Sequence, residues 1–218
     1  MSNRKLFIGC SREAKDKCDV IDWVENEIKT KFPNIDTFVW NSHGTPWTNG
    51  LSTLVNLVEF TKEFHYAVFV FFPDDLINIK GIDYYITRDN VSFEAGLFYS
   101  QFGNERTFIF KPTGLTNAIT TTNFRVLTDI DGIVFTEYKL DYDVAATRWA
   151  VDKTNAYTTG QLDNVIKAIG KKETEIATPP ANIKLKIDNI SKKIETHTTQ
   201  TGMTDEYYIG HFIEHFHV

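Results

Sequence analysis

The stretch Tyr66-Ala-Val-Phe-Val-Phe-Phe72 carries the clearest indication of the fold. All seven residues are apolar or aromatic, so a strand made from them has no face suited to water. A central strand of a parallel sheet, covered by helices on both faces, requires that pattern, and a half-exposed strand does not tolerate it. We therefore predict a buried parallel strand at this point of the chain.

Strand-like and helix-like segments alternate on both sides of this stretch. Runs rich in Phe, Val, Ile and Tyr predict strands at Lys5–Gly9, Asp36–Trp40, Tyr66–Phe72, Thr107–Lys111 and Gly132–Tyr138. Apolar residues at helical spacing predict helices at Lys15–Thr30, Leu51–Glu63 and Asn90–Phe102, and a further helix within Thr147–Gly170 that ends at Gly170. This alternation indicates a doubly wound α/β sheet, in which ligands bind outside the carboxyl ends of the strands.

Composition divides the chain into two parts. With 218 residues, of which 42% are hydrophobic and 24% charged, it is neither a disordered tail nor a disulfide-rich miniprotein. Of the 30 aromatic residues, 23 lie in residues 1–140. We therefore predict a compact domain over residues 1–140. Residues 141–218 are predicted to form a mainly helical C-terminal extension that serves docking, oligomerisation or partner binding.

The charge and the cysteine content indicate which partners and which cellular compartment to expect. The net charge is −6 and no stripe of clustered Lys and Arg is present, so nucleic acid is not an expected partner. The two cysteines, Cys10 and Cys18, lack a metal-binding C-x-x-C spacing, which fits a reducing compartment. With neither a signal-peptide core nor a long apolar span, the sequence predicts a cytoplasmic protein without membrane contact.

Glu94 lies on the apolar side of a predicted helix. At about 100° per residue, Glu94 falls inside the arc formed by Val91, Ala95 and Phe98, while Ser92 and Gly96 lie on the polar side. Capping does not explain this position, because a capping box places Glu three residues after the cap and that residue is Val91. The natural caps of this helix are Asp89 and Asn90. A carboxylate turned toward an apolar interior is costly, so it indicates a functional role.

The position of Glu94 suggests a chemistry, and one structural alternative stays open. In the first turn of a helix the dipole favours the ionised carboxylate, while burial disfavours it. An anionic Glu suits the stabilisation of a developing positive charge, as in glycosidic cleavage through an oxocarbenium-like state. A leaving group that is already cationic, such as nicotinamide, needs no acid partner. The structural alternative is an ion pair with Arg88 or Lys111.

Other candidate binding residues follow the predicted strands. Ser11 and Arg12 are candidates to hold a ribose or pyrophosphate, with helix capping as the alternative. Trp47, in a loop, is a candidate to stack on an adenine or nicotinamide ring, whereas Trp40 at a strand end fits core packing. Asp74 and Asp75 are candidates to bind ribose hydroxyls, with turn capping as the alternative.

Three histidines near the C-terminus do not form a convincing metal site. His211 and His215 are one helical turn apart and His217 follows, but no cysteine or carboxylate beyond Glu214 completes a ligand set. The surrounding apolar pattern instead predicts a docking helix. We expect no metal and no cofactor.

At these residues the sequence resembles the CAP12-type TIR-like nucleotide-binding domains of bacterial anti-phage defence systems. The resemblance covers about residues 4–138. It rests on Leu6-Phe7-Ile8-Gly9-Cys10-Ser11, Phe72-Pro73-Asp74-Asp75, Arg88-Asp89-Asn90-Val91, Phe93-Glu94-Ala95-Gly96-Leu97-Phe98 and Arg106-Thr107-Phe108. The sequence departs from the family at Cys10, where Ser is usual, and at residues 127–132, where a proline is missing.

The resemblance implies a fold, an activity and a mode of activation. It implies a flavodoxin-like TIR fold with a five-stranded parallel sheet, and NAD⁺ hydrolysis with Glu94 as the catalytic residue. NAD⁺ is then a substrate and not a bound cofactor, and its candidate contacts are Gly9, Cys10, Ser11, Arg12, Trp47, Asp74, Asp75, Arg88 and Asn90. The resemblance also implies activation by homo-oligomerisation, and we expect an activating partner protein or second messenger.

Two further hypotheses stay open from the sequence. A nucleoside deoxyribosyltransferase also uses a glutamate on a similar fold, and would exchange bases between deoxynucleosides while leaving NAD⁺ untouched. A non-catalytic TIR scaffold or nucleotide-binding module would assemble without needing Glu94. The apolar position of Glu94 favours catalysis over the scaffold.

Overall fold

The computed structural model describes residues 4–40, 53–116, 123–127, 135–143 and 148–177. The chain divides into two compact units, residues 1–170 and 171–218. The strands are β1 (Arg4–Cys10), β2 (Ile35–Val39), β3 (Tyr66–Val70), β4 (Asp75–Ile79), β5 (Ile82–Ile86), β6 (Thr107–Thr116), β7 (Asn123–Phe124), β8 (Phe135–Asp143) and β9 (Arg148–Val151). The helices are α1 (Arg12–Lys17), α2 (Val20–Lys31), α3 (Thr53–Thr61), α4 (Asp89–Phe102) and α5 (Ala156–Ala177).

The main sheet has six strands in the order β2-β1-β3-β6-β8-β9. The first five are parallel, and β9 runs antiparallel to β8. The parallel part has the strand order of flavodoxin-like folds, in which the direction of winding reverses between the first and third strands. The predicted α/β fold with five parallel strands is therefore confirmed, and β9 is an addition to it.

The sheet is covered on both faces, as the apolar stretch at residues 66–72 requires. Every residue of β3 is fully buried. Alternate strand residues face two separate core clusters. One face packs against α2 and α5, and the other packs against α3 and α4. The α4 side is rich in aromatic rings, with Phe7 stacked on Phe98 at a centroid distance of 4.6 Å.

Two predicted helices differ from the observed ones. The predicted helix Lys15–Thr30 is two helices, because the chain leaves helical geometry at Cys18, which is extended. The later helix does not end at Gly170, since α5 continues to Ala177.

Four strands of the described chain were not predicted from the sequence: β4, β5, β7 and β9. β9 lies at the start of the segment Thr147–Gly170, within which only a helix was predicted. Its residues Trp149 and Val151 alternate inward with period two, and the strand pairs with β8. β4 and β5 form a hairpin through Lys80 and Gly81, whose φ angles of 53° and 82° suit a tight two-residue turn. Together with β7 they make a separate three-stranded sheet.

The residues after position 140 contribute to the first unit up to Gly170. β9 extends the main sheet, and Leu162, Val165 and Ile169 of α5 are buried in the α2-side core. The division of roles between residues 1–140 and 141–218 stays a prediction. Residues 178–218, including the three C-terminal histidines, lie outside the described residues. None of the described helices is both long enough and apolar enough to span a membrane.

Candidate active site

The candidate site lies where the strand order reverses. β1 and β3 are neighbours in the sheet, and Cys10 pairs with Val70 at their carboxyl ends. The turn that begins with Ser11 follows β1, and the turn that contains Asp74 follows β3. Because parallel strands end at one edge, the sheet brings these two turns together as the fold class predicts.

Glu94 is buried in α4, as its position on the helical wheel predicts. Its side chain is 7% exposed, and Val91, Ala95, Phe98 and Phe102 are buried beside it on the same face. Gly96 and Ser100 are exposed on the opposite side. The helix therefore has an ordinary solvent face, and Glu94 avoids it.

The buried carboxylate of Glu94 has an oxygen without a partner. Its Oε2 makes no hydrogen bond to any residue that the structure describes. The ion-pair alternative is wrong for both proposed partners: Arg88 contacts Glu13 and Asp75, and Lys111 Nζ lies 3.3 Å from Glu137 Oε1. Glu94 is thus a buried carboxyl group held by packing and not by charge.

Burial changes the protonation of Glu94. Loss of water around the side chain raises the pKa of Glu94 from 4.5 to about 7. The expectation of a first-turn position is wrong, because α4 begins at Asp89 and Glu94 is its sixth residue. The helix dipole acts mainly on the first turn, so it does little to offset the burial. Near neutral pH, Glu94 is therefore present in both the acid and the anionic form.

Asp74 is half-buried, and both of its carboxylate oxygens accept hydrogen bonds from neighbouring groups. Its Oδ1 accepts a hydrogen bond from Ser11 Oγ at 2.5 Å. Its Oδ2 accepts one from the Arg88 backbone N–H at 2.9 Å and one from Thr87 Oγ1 at 3.3 Å. Burial raises the pKa of Asp74, and these hydrogen bonds oppose the rise.

Arg88 precedes α4 and joins three segments of the site. Its Nη2 donates a hydrogen bond to Glu13 Oε1 at 3.1 Å, and its Nε lies 3.0 Å from Asp75 Oδ2. The predicted caps Asp89 and Asn90 do not cap α4, because the N-cap residue is Arg88 and its side chain makes no capping bond. Asp89 Oδ1 instead accepts the N–H of Asn90.

The end of β1 is packed too tightly to leave space beside Gly9. A Cβ at Gly9 would lie 2.3 Å from Cε1 of Phe69, so this position accepts only glycine without movement of the ring. Cys10 is buried on the other face, and burial raises its pKa to about 12. Both Glu94 and Asp74 contribute to that rise. The two carboxylates therefore lie within electrostatic reach of one thiol.

The remaining candidate contacts have different surroundings. Ser11 is the N-cap of α1 and accepts the N–H of Ala14, so the capping alternative holds for it. Arg12 and Asn90 are exposed. Trp40 packs edge-on against Phe7 and Phe60, as its strand position predicted. Trp47 and residues 128–132 lie outside the described residues. The roles of all these residues as NAD⁺ contacts stay predictions.

A pocket of about 330 Å³ lies beside the start of α4. Its apolar wall comes from the small sheet and from Phe93, which is 54% exposed. Thr87, Asp89, Ser92 and Arg125 add polar atoms. Glu94 and those predicted NAD⁺ contacts that the structure describes do not line it.

Two residues of the hydrogen-bonded network escaped prediction from the sequence. Glu13 binds Arg88 across 75 positions of the chain, and no local pattern connects the two. Thr87 contacts Asp74 and also accepts the backbone N–H of Phe72 at 3.4 Å. The position of Thr87 directly before Arg88, at the turn from β5 to α4, is the sequence feature that could have identified it as a site residue.

Comparison with known proteins adds to this geometry. A family model described as "CAP12/Pycsar effector protein, TIR domain" matches residues 5–140. CD-NTase-associated protein 12 of Lachnospiraceae bacterium (strain RUG226) is 32% identical over 149 residues, which is 68% of this chain and 42% of that protein.

Two further relatives are also similar in sequence to this chain. CD-NTase-associated protein 12 of Flavobacterium daejeonense is 23% identical over 82% of this chain and 50% of that protein. The Pycsar effector protein BcPycTIR of Burkholderia cepacia is 34% identical over 32% of this chain and 24% of that protein. The chain thus spans half or less of the length of these relatives.

Proposed function

This chain belongs to the family of CAP12/Pycsar effector TIR domains, and we propose that it cleaves the bond between nicotinamide and ribose in NAD⁺. The observation that carries this proposal is the buried and unpaired carboxyl group of Glu94. A carboxylate without a partner is costly inside a protein, and chemistry at the site is a reason to keep it.

The environment of Glu94 suits the proposed reaction. As nicotinamide leaves, positive charge develops on the ribose ring. An anionic carboxylate in a site shielded from water stabilises such a charge much more strongly than it would in bulk solvent. Approach of the cationic nicotinamide-ribosyl group favours the ionised form of Glu94, whose pKa of about 7 makes that form accessible near neutral pH.

The proposed reaction does not require a second carboxyl group. Nicotinamide carries its positive charge in NAD⁺ and departs as a neutral molecule, so no acid has to protonate it. Asp74, the half-buried carboxyl group at this edge, uses both oxygens in hydrogen bonds to Ser11, Thr87 and Arg88. It is therefore poorly suited to donate a proton to a leaving group.

NAD⁺ is proposed to bind at the carboxyl edge, where the strand order reverses. The nicotinamide ribose would lie against Glu94. The exposed side chains of Arg12 and Asn90, the turn from Gly9 to Ser11, and Trp47 are the proposed contacts for the rest of the molecule. Linear and cyclic ADP-ribose are both compatible products.

Activation is proposed to depend on assembly and on an upstream signal. Relatives of this chain are named as associated with a CD-NTase and as Pycsar effectors. We propose that this chain likewise acts as a defence effector, activated by homo-oligomerisation in response to a partner protein or second messenger.

The test is release of nicotinamide from NAD⁺ by the purified protein, measured across a series of protein concentrations with product analysis by mass spectrometry. We expect turnover that rises steeply with concentration. In Glu94→Gln we expect a fall on the order of 1000-fold. Glu59→Gln, which changes an exposed glutamate paired with Lys62, is the matched control and keeps wild-type turnover.

Three results would contradict the proposal. Turnover retained in Glu94→Gln removes the catalytic role of that residue. Base exchange between deoxynucleosides, with NAD⁺ untouched, selects the deoxyribosyltransferase. Stable oligomers that never turn over NAD⁺, and whose function survives Glu94→Gln, select the scaffold.

A further inference from the structure

We propose that Asp74 is a positioning residue for Glu94, because its carboxylate fastens the turn after β1 to the turn before α4. This inference rests on the proposed function, in which Glu94 is the catalytic residue. It gives Asp74 a role different from a direct contact to ribose.

The carboxylate of Asp74 joins two helix starts across the point where the strand order reverses. Through Oδ1 it holds the hydroxyl of Ser11, which caps α1. Through Oδ2 it holds the backbone N–H of Arg88, the N-cap residue of α4, and the hydroxyl of Thr87. Both oxygens therefore bind protein groups, and the two turns are held at a fixed separation.

This link sets where Glu94 lies. α4 has no side-chain cap of its own, so the bond from Arg88 N–H to Asp74 anchors its first turn. Glu94 is six residues beyond Arg88 on the same rigid helix. Displacements of about 1 Å at a catalytic group change rates by about 100-fold, so the anchor of the helix matters for the chemistry.

At its other oxygen, Asp74 binds Ser11, which lies next to the end of β1. Ser11 follows Gly9 and Cys10, the last residues of β1, directly in the chain. Cys10 senses the charges of both Glu94 and Asp74. Holding Ser11 and Arg88 on one carboxylate therefore fixes α4 relative to the end of β1, where the reacting part of NAD⁺ is proposed to bind.

Charged and titratable groups among the described residues surround both carboxylates. Asp74 is near Glu13, Arg88, Cys10 and Tyr138. One described titratable group that responds to Glu94 is Cys10, whose pKa of about 12 keeps it neutral below pH 9. Burial alone raises the pKa of Glu94, so that pKa reports how well α4 is held against the sheet.

The first experiment measures the pKa of Glu94 without NAD⁺, by carbon-13 NMR of labelled glutamate carboxyls between pH 4 and 9. Glu94→Gln assigns the signal. In Asp74→Ala we expect the midpoint to fall from near 7 by at least about one unit, because a loosened α4 lets water reach the carboxyl group. Asp74→Asn should stay near wild type, since an amide can still accept from Arg88 and contact Ser11.

The matched control is Asp83→Ala, which removes a carboxylate from the β4–β5 hairpin that binds Asn78. It should leave the midpoint unchanged. An unchanged midpoint in Asp74→Ala overturns the proposal. An equal fall in Asp74→Ala and Asp74→Asn also overturns it, because the lost charge and not the lost geometry would then be the cause. If Asp74→Ala does not fold, Thr87→Val is used in its place, because it removes the hydrogen bond from Thr87 to Asp74. We then expect the midpoint of the Glu94 titration to fall by a smaller amount. An unchanged midpoint in Thr87→Val contradicts the proposal.

The second experiment separates positioning from ribose binding by steady-state kinetics. Positioning predicts that Asp74→Ala lowers kcat by about tenfold or more with little change in KM, whereas a ribose contact predicts a higher KM with kcat preserved. The NMR titration needs no turnover. The titration can therefore contradict the role of Asp74 while NAD⁺ cleavage is confirmed, and it can support that role while NAD⁺ cleavage is not observed.

Discussion

The β3–β4 turn and the second turn of α4 each hold one carboxyl group at the same edge of the sheet, half-buried in the turn and buried in the helix, with opposite surroundings. Asp74 in the turn accepts hydrogen bonds from Ser11, Thr87 and Arg88. Glu94 in the helix has an oxygen without a partner and is surrounded by apolar side chains. This difference distinguishes a carboxylate with a structural role, Asp74, from one with a proposed catalytic role, Glu94.

Removing the charge of Glu94 should stabilise the protein at alkaline pH, which is the largest expected change in stability. Between its unfolded pKa of 4.5 and its folded pKa of about 7, the native state holds a proton that the unfolded chain has lost. Wild-type stability therefore falls as pH rises through this window. Relative to wild type, Glu94→Gln should gain about 3 kcal/mol between pH 4 and pH 8.

Urea unfolding of both proteins at the two pH values measures this gain. The control is Glu59→Gln, for which the difference from wild type should not depend on pH. A pH-independent difference for Glu94→Gln would mean that Glu94 is solvated or paired, and the contrast with Asp74 would disappear.

Removing the side chain of Asp74 should act in the opposite direction. Asp74→Ala leaves the donors of Ser11, Thr87 and Arg88 without their acceptor, and we expect a loss of about 2 kcal/mol at pH 7. Denaturant unfolding measures it, with Asp83→Ala as the control. A stabilising effect would show that the hydrogen bonds of Asp74 do not offset the cost of removing its carboxylate from water.

Adding a methyl group at Gly9 disturbs the Glu94 side of the site and spares the Asp74 network. The new Cβ would press on the buried ring of Phe69, which packs on Phe98, one helical turn beyond Glu94. We expect Gly9→Ala to cost about 1.5 kcal/mol, as overpacked cores do. Thermal unfolding checks this value, and Gly81→Ala in the exposed hairpin turn shows the cost of backbone strain alone. Unchanged stability in Gly9→Ala would show that the ring of Phe69 yields freely.

The smallest effect is expected at Asp75, the direct neighbour of Asp74. Its side chain is 45% exposed, and its ion pair with Arg88 is partly screened by water. Asp75→Asn should change stability by less than about 1 kcal/mol in the same unfolding assay. A loss as large as that of Asp74→Ala would show that the two adjacent carboxylates share one structural role.

Periodic patterns predicted the main features of the fold. The five parallel strands were found from runs of Phe, Val, Ile and Tyr, because burial on both faces leaves such runs in the sequence. The hairpin of β4 and β5 was missed, although Lys80-Gly81 stands between two alternating segments. β9 was missed because four residues are too few to distinguish period two from a helical period.

The candidate site was predictable only in part, for a related reason. The helical period alone placed Glu94 among apolar side chains, and the structure confirms its burial. The sequence also placed Ser11 and Asp74 at one edge of the sheet. That the two are hydrogen-bonded, and that Glu13 binds Arg88, depends on side-chain geometry between segments more than 60 positions apart. Local patterns carry no information about such contacts.

The pH dependence of nicotinamide release tests the central claim, that the buried carboxylate of Glu94 acts in its ionised form. At a protein concentration that supports turnover, kcat/KM should rise about tenfold per pH unit on the acid side and level off with a midpoint near 7. Glu94→Gln should lack this limb along with most of the activity. A midpoint near 4.5, or the same profile in Glu94→Gln, would contradict the claim.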